Sequence, residues 1–227
     1  MSTTAASRPV VDSTARRQVG NAFLIAAGAW VVYIVLAFTV SASYEQALVD
    51  ASDATDTAVN RLPAETLAAI TADHPWSNLS GLVLVIVPAL LILATRRASA
   101  VTGDRWGVRL AWLGAGVLWF YFLLNAGLAA GPDSLPPLTR DLDVLTVPLV
   151  SAGSVVSIGA FVLAALGLRR VGWRPVANAI AAGVAVVLTA LGVITLVTSG
   201  YDEPVPPIAL LPAELVVGTA LLIGSRR

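Results

Sequence analysis

The chain reads as an all-α integral membrane protein, a bundle of six transmembrane helices with a small extracytoplasmic cap loop. Three observations predict this. Long apolar runs occupy residues 20–42, 79–95, 110–130, 145–168, 175–199 and 207–224. Charged residues make up 12% of the composition, against roughly 25% in a soluble domain, too few to cover a surface facing water. The few charges that exist change sign from one inter-run loop to the next.

Each run is justified by length and by its flanks. Crossing the hydrocarbon core takes ~20 apolar residues, with a usable range of about 17–25. All six runs fit, the second and sixth at the short end. They are continuous rather than alternating, which selects helices over barrel strands. Trp76, Trp106 and Trp173 fall at run ends, where an interfacial aromatic belt belongs.

The charges orient the bundle. Arg8, Arg16 and Arg17 precede the first run. Arg96, Arg97, Arg105 and Arg109 separate the second from the third. Arg169, Arg170 and Arg174 separate the fourth from the fifth, and Arg226 and Arg227 end the chain. That places 12 of 14 arginines on one side. The other side holds only Arg61 and Arg140, with 11 of the 14 acids. Arginine-rich short loops stay in the cytoplasm, so both termini are expected there. Residues 1–19 then form a cytoplasmic tail, and 20–227 a single transmembrane domain with its outer loop at 43–78. The basic residues are all arginine, with no lysine. That usage points to a GC-rich bacterial genome and so to a bacterial plasma membrane. Val40-Ser41-Ala42 resembles a signal-peptidase site and Arg16-Arg17 a twin-arginine signal. The apolar stretch before them exceeds the 7–15 residues of a signal core, so the first run is expected to remain as a span.

Within the outer loop, residues 62–70 predict a short helix. Pro63 suits its first position, Glu65 complements the N-terminal dipole, and Leu67 and Ile70 share a face. Small residues at helical spacing mark packing faces. They are Gly127 with Gly131, Gly153 with Ser157, and the stripe Ala177, Ala181, Ala185, Thr189. Trp112 and Trp119 form an aromatic face for packing or lipid contact.

One residue breaks the apolar pattern. Glu214 lies seven residues into the sixth run, two after Pro212, which is ~10 Å below the outer boundary. An acid near a helix centre costs ~2.5–3.5 kcal/mol or more on insertion scales, so Glu214 is expected to face the bundle or a wet cavity. Pro212 removes a backbone donor and frees the carbonyl of Ile208, predicting a kink just above the acid. Asn125, Ser151, Thr39 and Thr195 fall at similar depth by residue count. With Glu214 they make a candidate polar intramembrane site, with Arg140, Asp141 and Asp143 at its mouth. A structural reading stands beside this one. In it Glu214 bonds Asn125 or Ser151, or pairs with Arg140, and locks the bundle.

The chemistry is otherwise sparse. Cysteine is absent, which excludes disulfides, thiolate metal sites and cysteine catalysis. His74 is the only histidine. Its aspartate neighbours lack EF-hand spacing, and a turn ahead of the membrane is the expected setting. No GxSxG, HExxH, P-loop or GxGxxG occurs. Neither catalytic residues nor a cofactor or metal are expected. The expected partners are the lipid bilayer and a second protein or a second copy of the chain, with no nucleic acid. The composition favours a non-catalytic structural, accessory or sensory membrane component. The alternative is a small-solute or proton-linked transporter with Glu214 in an outward-facing polar site.

Overall fold

The computed structural model describes residues 13–57, 62–77, 79–129, 145–201 and 203–223; the side chains of Ala64 and residues 125–129 lie outside that description. Among the described residues every regular element is helical. Five stretches are long and apolar enough to cross a membrane: Ser13–Thr55, Leu79–Thr102, Trp106–Leu124, Thr146–Arg170 and Pro175–Thr198. A sixth apolar stretch, Pro207–Ile223, is shorter.

The first helix does not end where its apolar run ends. α1 (Ser13–Leu36) passes through a π-helical turn (Ala37–Ser41) into α2 (Ala42–Thr55). It begins inside the stretch read above as a tail and continues well into the expected outer loop. Residues 43–55 hold Glu, Gln, Ala and Leu but neither Gly nor Pro, so nothing stops the helix. Gln46 Nε2 donates to Asp50 Oδ1 at 2.8 Å along its exposed side. Asp56, in the left-handed region at φ 48°, ends it. The continuous helix of 43 residues is ~65 Å long, about twice a hydrocarbon core of ~30 Å. One crossing would therefore use only about half of this helix. The predicted short helix is present as α3 (Ala64–Asp73), with Pro63 at its N-cap rather than inside the first turn. Leu67 and Ile70 are half-buried where α3 folds back on α2. Ser41 Oγ fixes the π turn. It donates to the carbonyl of Ser77 at 2.9 Å and meets Ser80 Oγ at 2.8 Å.

The remaining helices are α4 (Leu79–Thr102), α5 (Trp106–Ala129), α6 (Thr146–Arg170), α7 (Pro175–Thr198) and α8 (Leu210–Ile223), the last preceded by a 3-10 turn (Pro207–Ala209). Short connections at 103–105 and 171–174 make sequence neighbours antiparallel. Six helices close into a ring: α1 on α4, α4 on α5, α5 on α6, α6 on α7, α7 on α8, and α8 back on α1. α6 also touches α4 across the ring and is the most buried of the long helices. Its Gly153 lies against Leu118 and its Ser157 against Gly114, so the small pair seen in the sequence seats α5. Ala181 and Ala185 of the α7 stripe are buried too. Phe23 and Phe161 meet edge to face at 5.6 Å in the middle.

This topology gathers Arg16, Arg17, Arg96, Arg97, Arg105, Arg109, Arg169, Arg170 and Arg174 at one end of the ring. Glu45, Asp50, Asp53, Glu65, Asp73 and Glu203 gather at the other. Trp76 and Trp106 are exposed at helix ends, as a belt requires. Trp173 departs from that expectation. It is buried, its ring lies 5.7 Å from the Arg16 guanidinium, and its carbonyl accepts Asn178 Nδ2–H. Trp119 has a defined task as well. Pro88 interrupts α4, and Trp119 Nε1–H donates to the Val85 carbonyl beside that break at 2.8 Å.

The contact that closes the ring is a tight one. A Cβ on Gly218 would stand 2.6 Å from Leu24 Cγ and 3.0 Å from the Gly20 carbonyl oxygen. Gly218→Ala is therefore expected to lower stability by ~1–3 kcal/mol, the usual cost of overpacking. Gly28→Ala, with nothing within 4 Å of its new Cβ, should not. Thermal unfolding of both variants in detergent checks this. Equal midpoints would mean that the α1–α8 seam is not tight.

Candidate functional site

α8 points Leu210, Ala213, Glu214, Val217, Gly218 and Leu221 into the bundle. That is an i, i+3, i+4, i+7, i+8, i+11 series, one face of a helix. Glu214 is inward because it occupies a core position of this period. Pro212 falls in the first turn of α8, directly after the 3-10 turn. A missing N–H is tolerated there, so no kink in mid-helix is needed to seat the acid.

The surroundings of the carboxyl are apolar and small. Glu214 is 0% exposed, and neither carboxyl oxygen has a hydrogen-bond partner among the described residues. The Gly20–Gly218 contact sets the register of α1 against α8. One turn farther from the arginine end, the antiparallel register places Glu214 level with the turn 24–27 of α1, in which Ala26 and Ala27 are fully buried. On α7, Gly192 faces Val205 just ahead of α8, and Ala181, Ala182 and Ala185 are buried farther toward the arginine end.

The next turn outward holds a second unpartnered group. Trp30 is 2% exposed and its Nε1–H has no partner among the described residues. Its ring meets Tyr33 edge to face at 6.1 Å. By register Trp30 stands near Leu210, one turn above Glu214. It was not singled out in the sequence, although a signal existed. Val19, Phe23, Ala26 and Trp30 share a helical face, and Trp30 is a tryptophan in mid-run rather than at a run end.

The other sequence candidates are placed as follows. Ser151 is buried and accepts the backbone N–H of Val205 at 3.0 Å, tying α6 to the segment that leads into α8. Thr39 is exposed and donates to the Val35 carbonyl of its own helix at 2.6 Å. Thr195 is exposed and donates to the Leu191 carbonyl at 3.1 Å. It also lines an open groove of about 420 Å³ between α7 and the start of α8, whose wall runs down to Pro212. The Asn125 side chain, Arg140, Asp141 and Asp143 lie outside the described residues. Of the candidates whose side chains are described, Glu214 and Ser151 are buried, while Thr39 and Thr195 face outward. His74 caps α3, its Nδ1 2.9 Å from the Ile70 carbonyl oxygen, with its ring 6.0 Å from that of Tyr44. Among the described residues no three His, Asp or Glu side chains come together as a metal site.

Comparison with protein-family models, curated proteins and solved structures finds no match to this chain.

Removing the Ser151 hydroxyl leaves the buried Val205 N–H without its acceptor. Ser151→Ala is expected to destabilise the fold by ~1–3 kcal/mol. Thr39→Val and Thr195→Val, whose hydroxyls bond only their own helices, should stay within ~0.5 kcal/mol of the parent. Thermal midpoints of the three variants decide it; a silent Ser151→Ala would remove the tie between α6 and α8.

Proposed function

We propose that this chain is a non-catalytic structural, accessory or sensory component of a bacterial plasma membrane. In this reading it crosses the membrane six times with both termini in the cytoplasm. Support for a sixth crossing is the ring itself: α8 fills the gap between α7 and α1 and is apolar apart from Glu214 and Thr219, whose hydroxyl bonds its own helix. Gathering the arginines at one end supports the orientation. Helix α2 and the folded-back α3 then stand outside the cell, available to a protein partner or a second copy.

The observation that carries the functional reading is the burial of Glu214. A lone acid with no base, nucleophile or bound group in reach is a poor catalyst. A transport site open to the outside needs a wet path to it. The groove between α7 and α8 is the observation in favour of the alternative, a small-solute or proton-linked transporter. Its wall ends at Pro212, two residues before the acid.

The chain has no cysteine, so a single thiol can be placed without background. In intact cells treated with a membrane-impermeant thiol reagent, E214C should stay unlabelled. S43C, on the exposed surface of α2, should be labelled, and R97C, exposed at the arginine end, should not. Labelling of E214C would move the reading to the outward-open transporter. Reversal of the other two would invert the topology.

A further inference from the structure

We propose that Glu214 is a proton-binding site whose occupancy governs how α8 sits against α1 and α7. This deepens the sensory reading above and rests on the sealed carboxyl. Among the described residues Glu214 is the only buried ionisable side chain. Both its oxygens lack partners there, as does the buried Trp30 Nε1–H on α1. An isolated carboxylate without hydrogen bonds or a counter-charge is too costly to hold in such a place, whereas a neutral carboxylic acid is tolerated.

Among the described residues no neighbouring element supplies a compensating charge. α7 contains no titratable residue, and α8 contains none besides Glu214. α6 carries only Arg169 and Arg170, in its last turn at the arginine end. α1 brings Tyr33, half-buried beyond Trp30, and Arg16 and Arg17 near its start. Arg16 is about ten residues, or ~15 Å, from the level of the acid. Glu203, on the segment before α8, is exposed. Ionisation of Glu214 therefore needs water, and water reaches this fully buried carboxyl when α8 shifts from its seat on α1 and α7.

The element that must move is also the one suited to do so. α8 is the shortest helix of the ring. It is seated by the glycine contact with α1 and tied to α6 through the Ser151–Val205 hydrogen bond. The seated bundle holds the proton and the opened bundle releases it. Opening is thus favoured as pH rises and suppressed as pH falls. Trp30, a buried tryptophan on the helix that α8 packs against, is the natural optical reporter of the change.

The test uses the full chain in liposomes. Val217 is fully buried on the inward face of α8, and V217C introduces a single, smaller side chain there. Its reaction rate with a thiol reagent is measured between about pH 5 and pH 9, a range over which buried carboxyl groups titrate. Dividing by the rate for S43C removes the pH dependence of the thiol itself. The normalised rate should climb up to about tenfold per pH unit, the slope of a one-proton opening. It should be flat in E214Q/V217C. A flat profile with Glu214 present, or the same climb in E214Q/V217C, overturns the proton link. A second measurement needs no variant. A lipophilic carbodiimide, which reacts with protonated carboxyls, should add one adduct to the native protein, located at Glu214 by peptide mass. A water-soluble carbodiimide should add none there. Absence of the lipophilic adduct, or equal modification by both reagents, also overturns the proposal. Labelling of E214C from outside sinks the sealed-bundle reading itself, while a flat profile in an unlabelled bundle sinks only the proton link.

Discussion

Two glycines, Gly20 near the start of the first helix and Gly218 near the end of the last, bring their backbones close enough that neither accepts a Cβ without displacement. Five of the six contacts around the ring join helices that follow one another through the bundle, and short connections account for several of them. The α1–α8 contact is different, because it joins opposite ends of the chain. In a bilayer, lipid tails are as apolar as leucine, so helices associate through close packing rather than through hydrophobic exclusion. Without small residues at this seam, α8 would have a neighbour on one side only. Glu214, one turn away, would then face lipid.

Seating α8 has a second requirement at its other end. The chain enters α8 through a stretch with three prolines, Pro204, Pro206 and Pro207, which cannot donate backbone hydrogen bonds. Val205 between them is fully buried and finds its acceptor in Ser151 of the central helix. Pro207 then opens a 3-10 turn, and Pro212 sits where a helix has no use for its N–H. The same α8 that is held so closely contributes the one buried acid. A residue that is costly in this environment sits on the inward face of the shortest helix of the ring.

At the carboxylate end, a different economy holds. α1 and α2 form one rod because no glycine or proline interrupts residues 29–62, and the π turn absorbs the change from lipid-facing to water-facing sequence. π turns recur at functional positions in helices, and this one is clamped by serines from the start of α4. The hairpin of α2 and α3 is thereby attached rigidly to two spans.

The sequence by itself determined that this is a helical membrane protein, with roughly where its apolar helices lie. Run length and charge segregation are one-dimensional properties, and the hydrocarbon core reads them directly. The short outer helix was also legible, from Pro63, Glu65 and the Leu67–Ile70 spacing. Helix ends were less so: apolar runs mark the part of a helix that meets lipid, while α2 and the end of α4 continue on polar residues with good helix propensity. Of the site, depth was countable but facing was not. Thr39, Ser151, Thr195 and Glu214 lie at comparable counts from their run ends, yet Ser151 and Glu214 turn inward and the threonines outward. Rotation about a helix axis is decided by its neighbours, and here by where small residues on another helix let the backbones meet. Only the tertiary structure could turn Glu214 inward where α8 packs on α1, because those two helices lie almost two hundred positions apart in the chain.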